Sequence, residues 1–403
     1  QSDAGGPQRA FGIPDIGGTK YRLGNEAENY GELAFGKTFF LPGAFDPGHR
    51  SGEDGPIAHA NVRLSFVNPY SDYGSNSGTD FGAPEVWASV GNILPDRPDM
   101  KVWAGNRFYR RHDIHINDFY FYNMSGGGGG IEDFVFGPGK FALAWIGDGD
   151  QSTIYDIDNQ PDPSNLAGFS KSTIDLRYYD FPLLGGTGEV GLAYALAESG
   201  VDANGNSAED SRGVAVNVVR TKEGFLDTKS LHKTSVQIGS GPAKTFTSGF
   251  ESFTNADGTY VRPDPDDSWR VRLTDQWVVN PNDSFSLGTA AVYQYTDFSG
   301  GITQQWASLG ARPIVHFTPS FGLALEAGVD WVSQDPGSDD GFLGKITLAP
   351  QISFGDDFFS RPVIRGFLTY GIWSDGFSGL IGGPDYNDAT SGWSYGVQME
   401  SWW

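Results

Sequence analysis

The sequence predicts an all-β fold, a transmembrane antiparallel β-barrel, on three observations. Apolar and polar residues alternate with period two from one end of the chain to the other, aromatic residues sit at the ends of the apolar faces, and connections alternate between short and long.

The alternation is read directly from three segments. Phe285, Leu287, Ala291, Tyr293 and Tyr295 oppose Ser286, Gly288 and Gln294. Phe321, Leu323, Leu325, Ala327, Val329 and Trp331 oppose Ala324, Glu326, Gly328 and Asp330. In the last strand Trp393, Tyr395, Val397, Met399 and Trp403 oppose Ser394, Gly396, Gln398, Glu400 and Trp402. Successive strand residues point to opposite faces, so each segment has one greasy face and one polar face.

A soluble sandwich would turn the greasy face into a core and fill it with aliphatics. Here Phe285, Tyr295, Phe321, Trp331, Trp393 and Trp403 stand near strand ends, where rings with a polar edge suit the lipid headgroup level. A propeller would need a repeat of fixed length, and none is visible. Short connections such as Pro281-Asn282-Asp283 and Gly355-Asp356-Asp357 contrast with long acidic ones, Asp148 to Ser164 and Val201 to Ser211. At roughly 20 residues per strand plus connection, the length accommodates about 16 to 18 strands, wide enough for an aqueous lumen.

Composition excludes several functions. Hydrophobic residues are 38% and charged residues 19%, with 57 glycines. The contiguous aliphatic runs of a sheet covered on both faces are missing. With no cysteine there is no disulfide framework and no thiolate chemistry. A net charge of −23 opposes nucleic-acid binding, which needs Lys and Arg against phosphates. No apolar run approaches the roughly 20 residues of a membrane helix. Gln1 to Arg9 lacks the basic and apolar regions of a signal peptide, so the chain reads as mature.

Motifs for chemistry mostly dissolve on inspection. Gly186-Thr187-Gly188-Glu189-Val190-Gly191 matches the dinucleotide pattern, yet an alternating strand (Val190, Leu192, Tyr194, Leu196) follows where a helix must hold the pyrophosphate. Gly126 to Gly130 lacks a phosphate loop's Lys and reads as a flexible loop return. Asp202, Asn204, Asn206 and Glu209 have a loose calcium-loop flavour, out of register for an EF-hand. His112 and His115 have a metal-compatible spacing but need further ligands, and a pore-lining role fits them better. Asp113 and Asp118 are the pair that could serve a glycosidase, in a chain where acids are abundant. No cofactor or metal is expected.

Lys101-Val102-Trp103-Ala104-Gly105-Asn106-Arg107-Phe108-Tyr109-Arg110-Arg111-His112-Asp113-Ile114-His115-Ile116-Asn117-Asp118-Phe119-Tyr120 is the densest mixture of bases, acids and rings in the chain. It resembles the segment of the maltoporin (LamB-type) family that runs into the third loop. Three other stretches agree in order and spacing: Lys20 to Glu26 with Tyr30 and Glu32, Ser360 to Arg365, and Gln398 to Trp403.

The resemblance implies a sugar-selective homotrimeric channel of the Gram-negative outer membrane, of about 18 strands, with residues 103–130 folded inward as a constriction. Tyr30, Phe359 and Trp402 resemble members of that family's aromatic slide. Arg22, Glu32, Arg111, Asp113 and Asp118 are similar to its ionic track, and His115 and Tyr120 fall at the constriction. Strand parity agrees: Trp402 falls on the polar face, Arg22, Tyr30 and Glu32 share a parity opposite to Tyr21, Leu23 and Leu33, and Phe359 shares that of Val363 and Arg365. The partners implied are an oligosaccharide, such as a maltodextrin, and outer-membrane lipid.

The sequence also departs from the family. Leu231 stands where a further slide aromatic is expected, Pro84 where a track arginine is expected, and Ala27 where the family has a cysteine. The family's opening strand has no counterpart before Ala10-Phe11-Gly12. Tyr70, Tyr73 and Phe81 are equal candidates for the ring lent to a neighbouring subunit. Two alternatives stay open: a general cation-preferring porin, and a soluble β-protein that binds or cleaves carbohydrate through Asp113 and Asp118.

Overall fold

The computed structural model describes residues 2–3, 8–14, 16–41, 50, 52–69, 79–149, 170–201, 207–226, 229–251, 253–254, 260–261, 265–335 and 340–402. Among these, a single 17-stranded antiparallel sheet dominates. Its strands are β1 (Glu28–Phe40), β2 (Ile57–Pro69), β3 (Asp80–Gly91), β4 (Lys101–Arg107), β5 (Gly126–Phe136), β6 (Gly139–Gly149), β7 (Ser170–Leu183), β8 (Gly186–Ala197) and β9 (Ser211–Glu223). They continue as β10 (Leu231–Ser240), β11 (Trp269–Asn282), β12 (Phe285–Asp297), β13 (Thr303–Thr318), β14 (Phe321–Asp335), β15 (Gly341–Ser353), β16 (Val363–Trp373) and β17 (Ser391–Glu400). Each pairs with its neighbours in this order, an uninterrupted meander. No described helix is long and apolar enough to cross a membrane.

The burial pattern is inverted relative to a water-soluble protein. Leu309 is 64% exposed, Ile364 54% and Met399 65%, while Asp175, Arg177 and Glu326 are 0% exposed. Exposing a large aliphatic side chain to water costs about 1.5–3 kcal/mol relative to burying it, and dozens of them line the outer face. Hydrocarbon is the solvent that this face fits. The three segments read from sequence follow the expected parity, with Ser286, Glu326 and Ser394 buried and Tyr293, Trp331 and Trp393 exposed.

Tight turns close one end of the sheet. Leu184 and Gly185 both have positive φ, 47° and 71°, the geometry whose twist matches a two-residue hairpin. The dinucleotide-like glycines therefore open strand β8, not a helix. At the sheet edges, Ser2 bridges Ser394 and the Asp3 amide donates to Trp393 O at 3.1 Å. Gln398 on β17 accepts from Gly24 N at 3.3 Å and donates to Glu26 at 3.1 Å, so β17 is tied to the residues that lead into β1.

The interior is packed by chain folded inward. Residues 8–14 and 16–27 lie against β13–β17, residues 108–125 against β7–β11, and residues 241–250 join the second segment through Asn123 N donating to Phe246 O at 3.0 Å. Tyr21, 1% exposed, lies against Gly310 and Gly328, where an added Cβ would come within 2.1 and 2.2 Å of its ring. Its hydroxyl bonds Ser308 Oγ at 2.9 Å. Leu23 N donates to Glu326, and Lys345 and Thr347 donate to Leu23 O at 2.8 and 3.1 Å.

Two expectations are corrected here. Gly126–Gly130 is no loop return: it opens β5, and Gly128 and Gly130 permit carbonyls of β6 to approach within 2.1 and 2.4 Å of where a Cβ would be. The inward segment is shorter than the expected 103–130, because Trp103 to Arg107 and Gly126 to Gly130 are wall strands.

Candidate channel constriction

Backbone carbonyls of the inward segment are held by buried wall side chains. Arg177 Nη1 donates to Arg110 O at 2.8 Å, Gln276 to Asp113 O at 2.7 Å, and Gln237 and Arg272 to Phe121 O at 3.0 and 2.9 Å. Tyr122 OH donates to Asp175 at 2.8 Å, beneath the Arg177 guanidinium, 3.9 Å from its ring. Gly191 makes room, since a Cβ there would stand 2.1 Å from Tyr122 Oη. A loop pinned by this many buried donors is a fixed wall.

Around it, four rings that the sequence assigns to the channel interior keep exposed surface. Tyr30 is 57% exposed, Trp402 47%, Tyr120 38% and Phe359 36%. Phe359 and Trp402 are brought together through His115, with ring centroids 5.2 and 6.0 Å from the imidazole. Phe358, buried, backs Phe359 at 5.1 Å. Tyr30 stands apart, its hydroxyl donating to Glu32.

Charges flank both groups. Arg22 pairs with Glu26 at 3.0 Å and lies 3.6 Å from Glu400 and 3.9 Å from Asp118, which Lys20 approaches to 3.1 Å. Arg361 and Arg365 reach Glu400 at 2.6 and 2.8 Å, and the Arg361 guanidinium sits 4.2 Å from the Trp402 ring. Arg111 lies over Phe108 and Tyr120 at 3.7 and 4.6 Å, with no carboxylate partner among the described residues. Burial, with the nearby Arg312 and Arg22 guanidiniums, holds the His115 imidazole well below its ordinary pKa, keeping it neutral.

His112 and His115 serve different places: His112 bonds Glu189 at 3.2 Å, away from the His115 cluster. Asp113 and Asp118 share no bond among the described residues. No group of three metal-ligating side chains is assembled there either.

The parity argument fails at two points. Residues 20–27 are not strand, so Tyr21 and Leu23 face the inner wall, not the opposite side of a sheet from Arg22. Phe359 lies in the turn before β16 and Trp402 beyond the end of β17, so strand parity reaches neither. Of the calcium-like group, Asp202, Asn204 and Asn206 lie outside the described residues, as do Tyr70, Tyr73 and Trp403. Sequence reasoning passed over Arg63, Glu85 and Trp87, which share the lumenal face with Glu32; their alternation with Val62, Leu64 and Val86 was the available signal.

The family model of the LamB porin matches residues 1–403. Among solved structures the chain is similar to an anion-selective porin from Comamonas acidovorans, at 14% identity over 92% of this chain and 99% of that one, with a TM-score of 0.38. It is also similar to the outer-membrane expressed OmpT of Vibrio cholerae, at 12% identity over 92% and 97%, with a TM-score of 0.30.

Proposed function

Since the chain belongs to the LamB porin family, channels of the Gram-negative outer membrane, we propose that it passes oligosaccharides such as maltodextrins by passive, selective diffusion. The observation that carries this reading is the lumenal set Tyr30, Tyr120, Phe359 and Trp402, exposed where a channel wall would otherwise be polar. A pyranose presents apolar C–H faces and an equatorial rim of hydroxyls. Rings match the first, and the ionised groups beside them (Arg22, Glu32, Arg111, Asp113, Asp118) exchange charge-assisted hydrogen bonds with the second. Because donors and acceptors are already held in place, a sliding sugar trades one set for the next at little cost.

A homotrimer fits the outer face of β2–β5. Ala60 pairs with Ala88, Ala88 with Ala104, and Ala104 with Gly129, a row of small residues flat enough for close contact with another subunit. A cysteine placed at Ala88 and cross-linked in the membrane is expected to give higher-order bands.

The second reading, a general cation-preferring porin, draws on the net charge of −23 and on Leu231 and Pro84 at positions where slide and track members are expected. Planar-bilayer recording with a panel of linear and branched saccharides separates the two. Concentration-dependent block by linear oligosaccharides supports selectivity; conductance that none of them reduces refutes it.

A further inference from the structure

Arg63 on β2 lies opposite Glu85 on β3 and one diagonal step from Glu32 on β1. Its Nε stands 2.5 Å from Glu85 Oε2 and its Nη1 2.8 Å from Glu32 Oε2. The guanidinium also faces the Phe108 ring at 5.4 Å, the ring on which Arg111 rests from its own side at 3.7 Å. Glu85 is fixed in turn, accepting from Phe108 N at 3.0 Å and from Trp87 Nε1 at 3.2 Å. Arg63 Nη2 has no partner among the described residues, and the side chain is 29% exposed. Nε and Nη1 are thus each held by a carboxylate, while Nη2, between them on the fork, keeps its N–H groups free on the face of the sheet that carries Glu32 and Glu85.

Pro84 stands in the adjacent strand where a lumenal arginine is expected, and a pyrrolidine ring can supply neither charge nor donor. We propose that Arg63 is a specificity-determining residue of the channel, delivering from β2 the guanidinium that Pro84 cannot, and presenting it between Glu32 and Glu85 to saccharide hydroxyls that pass Tyr30. This rests on the saccharide reading above. Held by two carboxylates, the guanidinium keeps its orientation without a sugar, so binding costs little rotamer entropy. Donor and acceptors alternate across three neighbouring strands, at the strand spacing of roughly 4.8 Å. Glu32 is bound on one oxygen by Arg63 and also accepts from Tyr30, so stacking ring and ionic group form one unit.

The test uses the full chain in planar bilayers with two readouts: the reversal potential in a potassium chloride gradient without sugar, and current block by maltohexaose. Arg63→Ala is expected to raise the potassium-over-chloride permeability ratio about twofold, since two lumenal carboxylates lose their cation, and to weaken block about tenfold. Arg63→Lys is expected to restore the ratio but not the block, because one ammonium cannot clamp both carboxylates and still present an oriented donor. Glu85→Gln should shift the ratio in the opposite direction. An Arg63→Ala channel with the parental reversal potential and block overturns the proposal. So does a series in which only the thermal midpoint moves, the mark of a brace between strands. A parental channel that maltohexaose does not block sinks the saccharide reading itself, and the reversal potentials then still decide whether Arg63 sets selectivity.

Discussion

Truncating Trp402 to Ala removes one ring of the proposed slide while leaving the sheet alone, because the residue follows β17 and makes no hydrogen bond among the described residues. Trp402 is 47% exposed. A tryptophan side chain offers on the order of 250 Å2, so about 120 Å2 of indole is open to the lumen. Arg361 covers one side of the ring at 4.2 Å, leaving one face for a sugar. A pyranose on that face hides about 60 Å2 of indole, worth ~1.5 kcal/mol at about 25 cal/mol per Å2. Such a loss corresponds to about a tenfold rise in dissociation constant. Arg361 retains its pairing with Glu400, so the charge beside the site persists. The assay is titration of single-channel current with maltohexaose, with open-channel conductance in plain electrolyte as the control. The expected result is about tenfold weaker block with conductance equal to or slightly above the parent's. Block that is unchanged refutes the stacking argument, and block that falls only in proportion to conductance refutes it equally.

Three further outcomes follow from how the inward segment is held. Gly191→Ala places a Cβ 2.1 Å from Tyr122 Oη, which breaks the bond to Asp175 and overpacks the seat by about 1–3 kcal/mol; single-channel conductance should rise as the segment is displaced. Arg177→Met strands Asp175 and Glu189 without their buried cation, a loss of about 3–5 kcal/mol, which thermal denaturation in detergent should show as a lower midpoint. His115 has a folded-state pKa depressed by burial and by Arg312 and Arg22. Above its ordinary pKa of about 6.5 both states hold it neutral and stability is full; as pH falls below that value the unfolded chain takes up the proton and the folded one does not, so stability declines. His115→Gln should flatten the pH dependence of the midpoint over that range, and a slope equal to the parent's would refute the assignment.

Much of the fold was legible because a barrel wall is a local rule. Period-two alternation depends on which solvent each face meets, and lipid outside with side chains inside imposes the same alternation on every strand. Glu326, Asp330, Ser394 and Glu400 turn inward as their parity requires, and Trp331 and Trp393 turn outward. The rule stops where the strand stops. Tyr21 and Leu23 alternate with Arg22, yet both pack against glycines and polar groups of the inner wall, because residues 20–27 are turn and irregular backbone with no strand pairing. The glycine run 126–130 reads as a flexible loop return because glycine is permissive anywhere; its reason is close backbone approach to β6, a tertiary fact. Arg63 escaped attention because its meaning lies in Glu32 and Glu85, on two other strands.

The sequence by itself determined the wall: the strands and their outward apolar sides, since alternation acts residue by residue. Only the tertiary structure decided what lies inside. It set which inward segment fills which side, how Phe359, His115 and Trp402 meet, and which arginine reaches which carboxylate. Contacts between residues hundreds of positions apart, such as Tyr21 with Ser308, are fixed by how the inward segments pack against distant strands and leave no pattern in the local sequence.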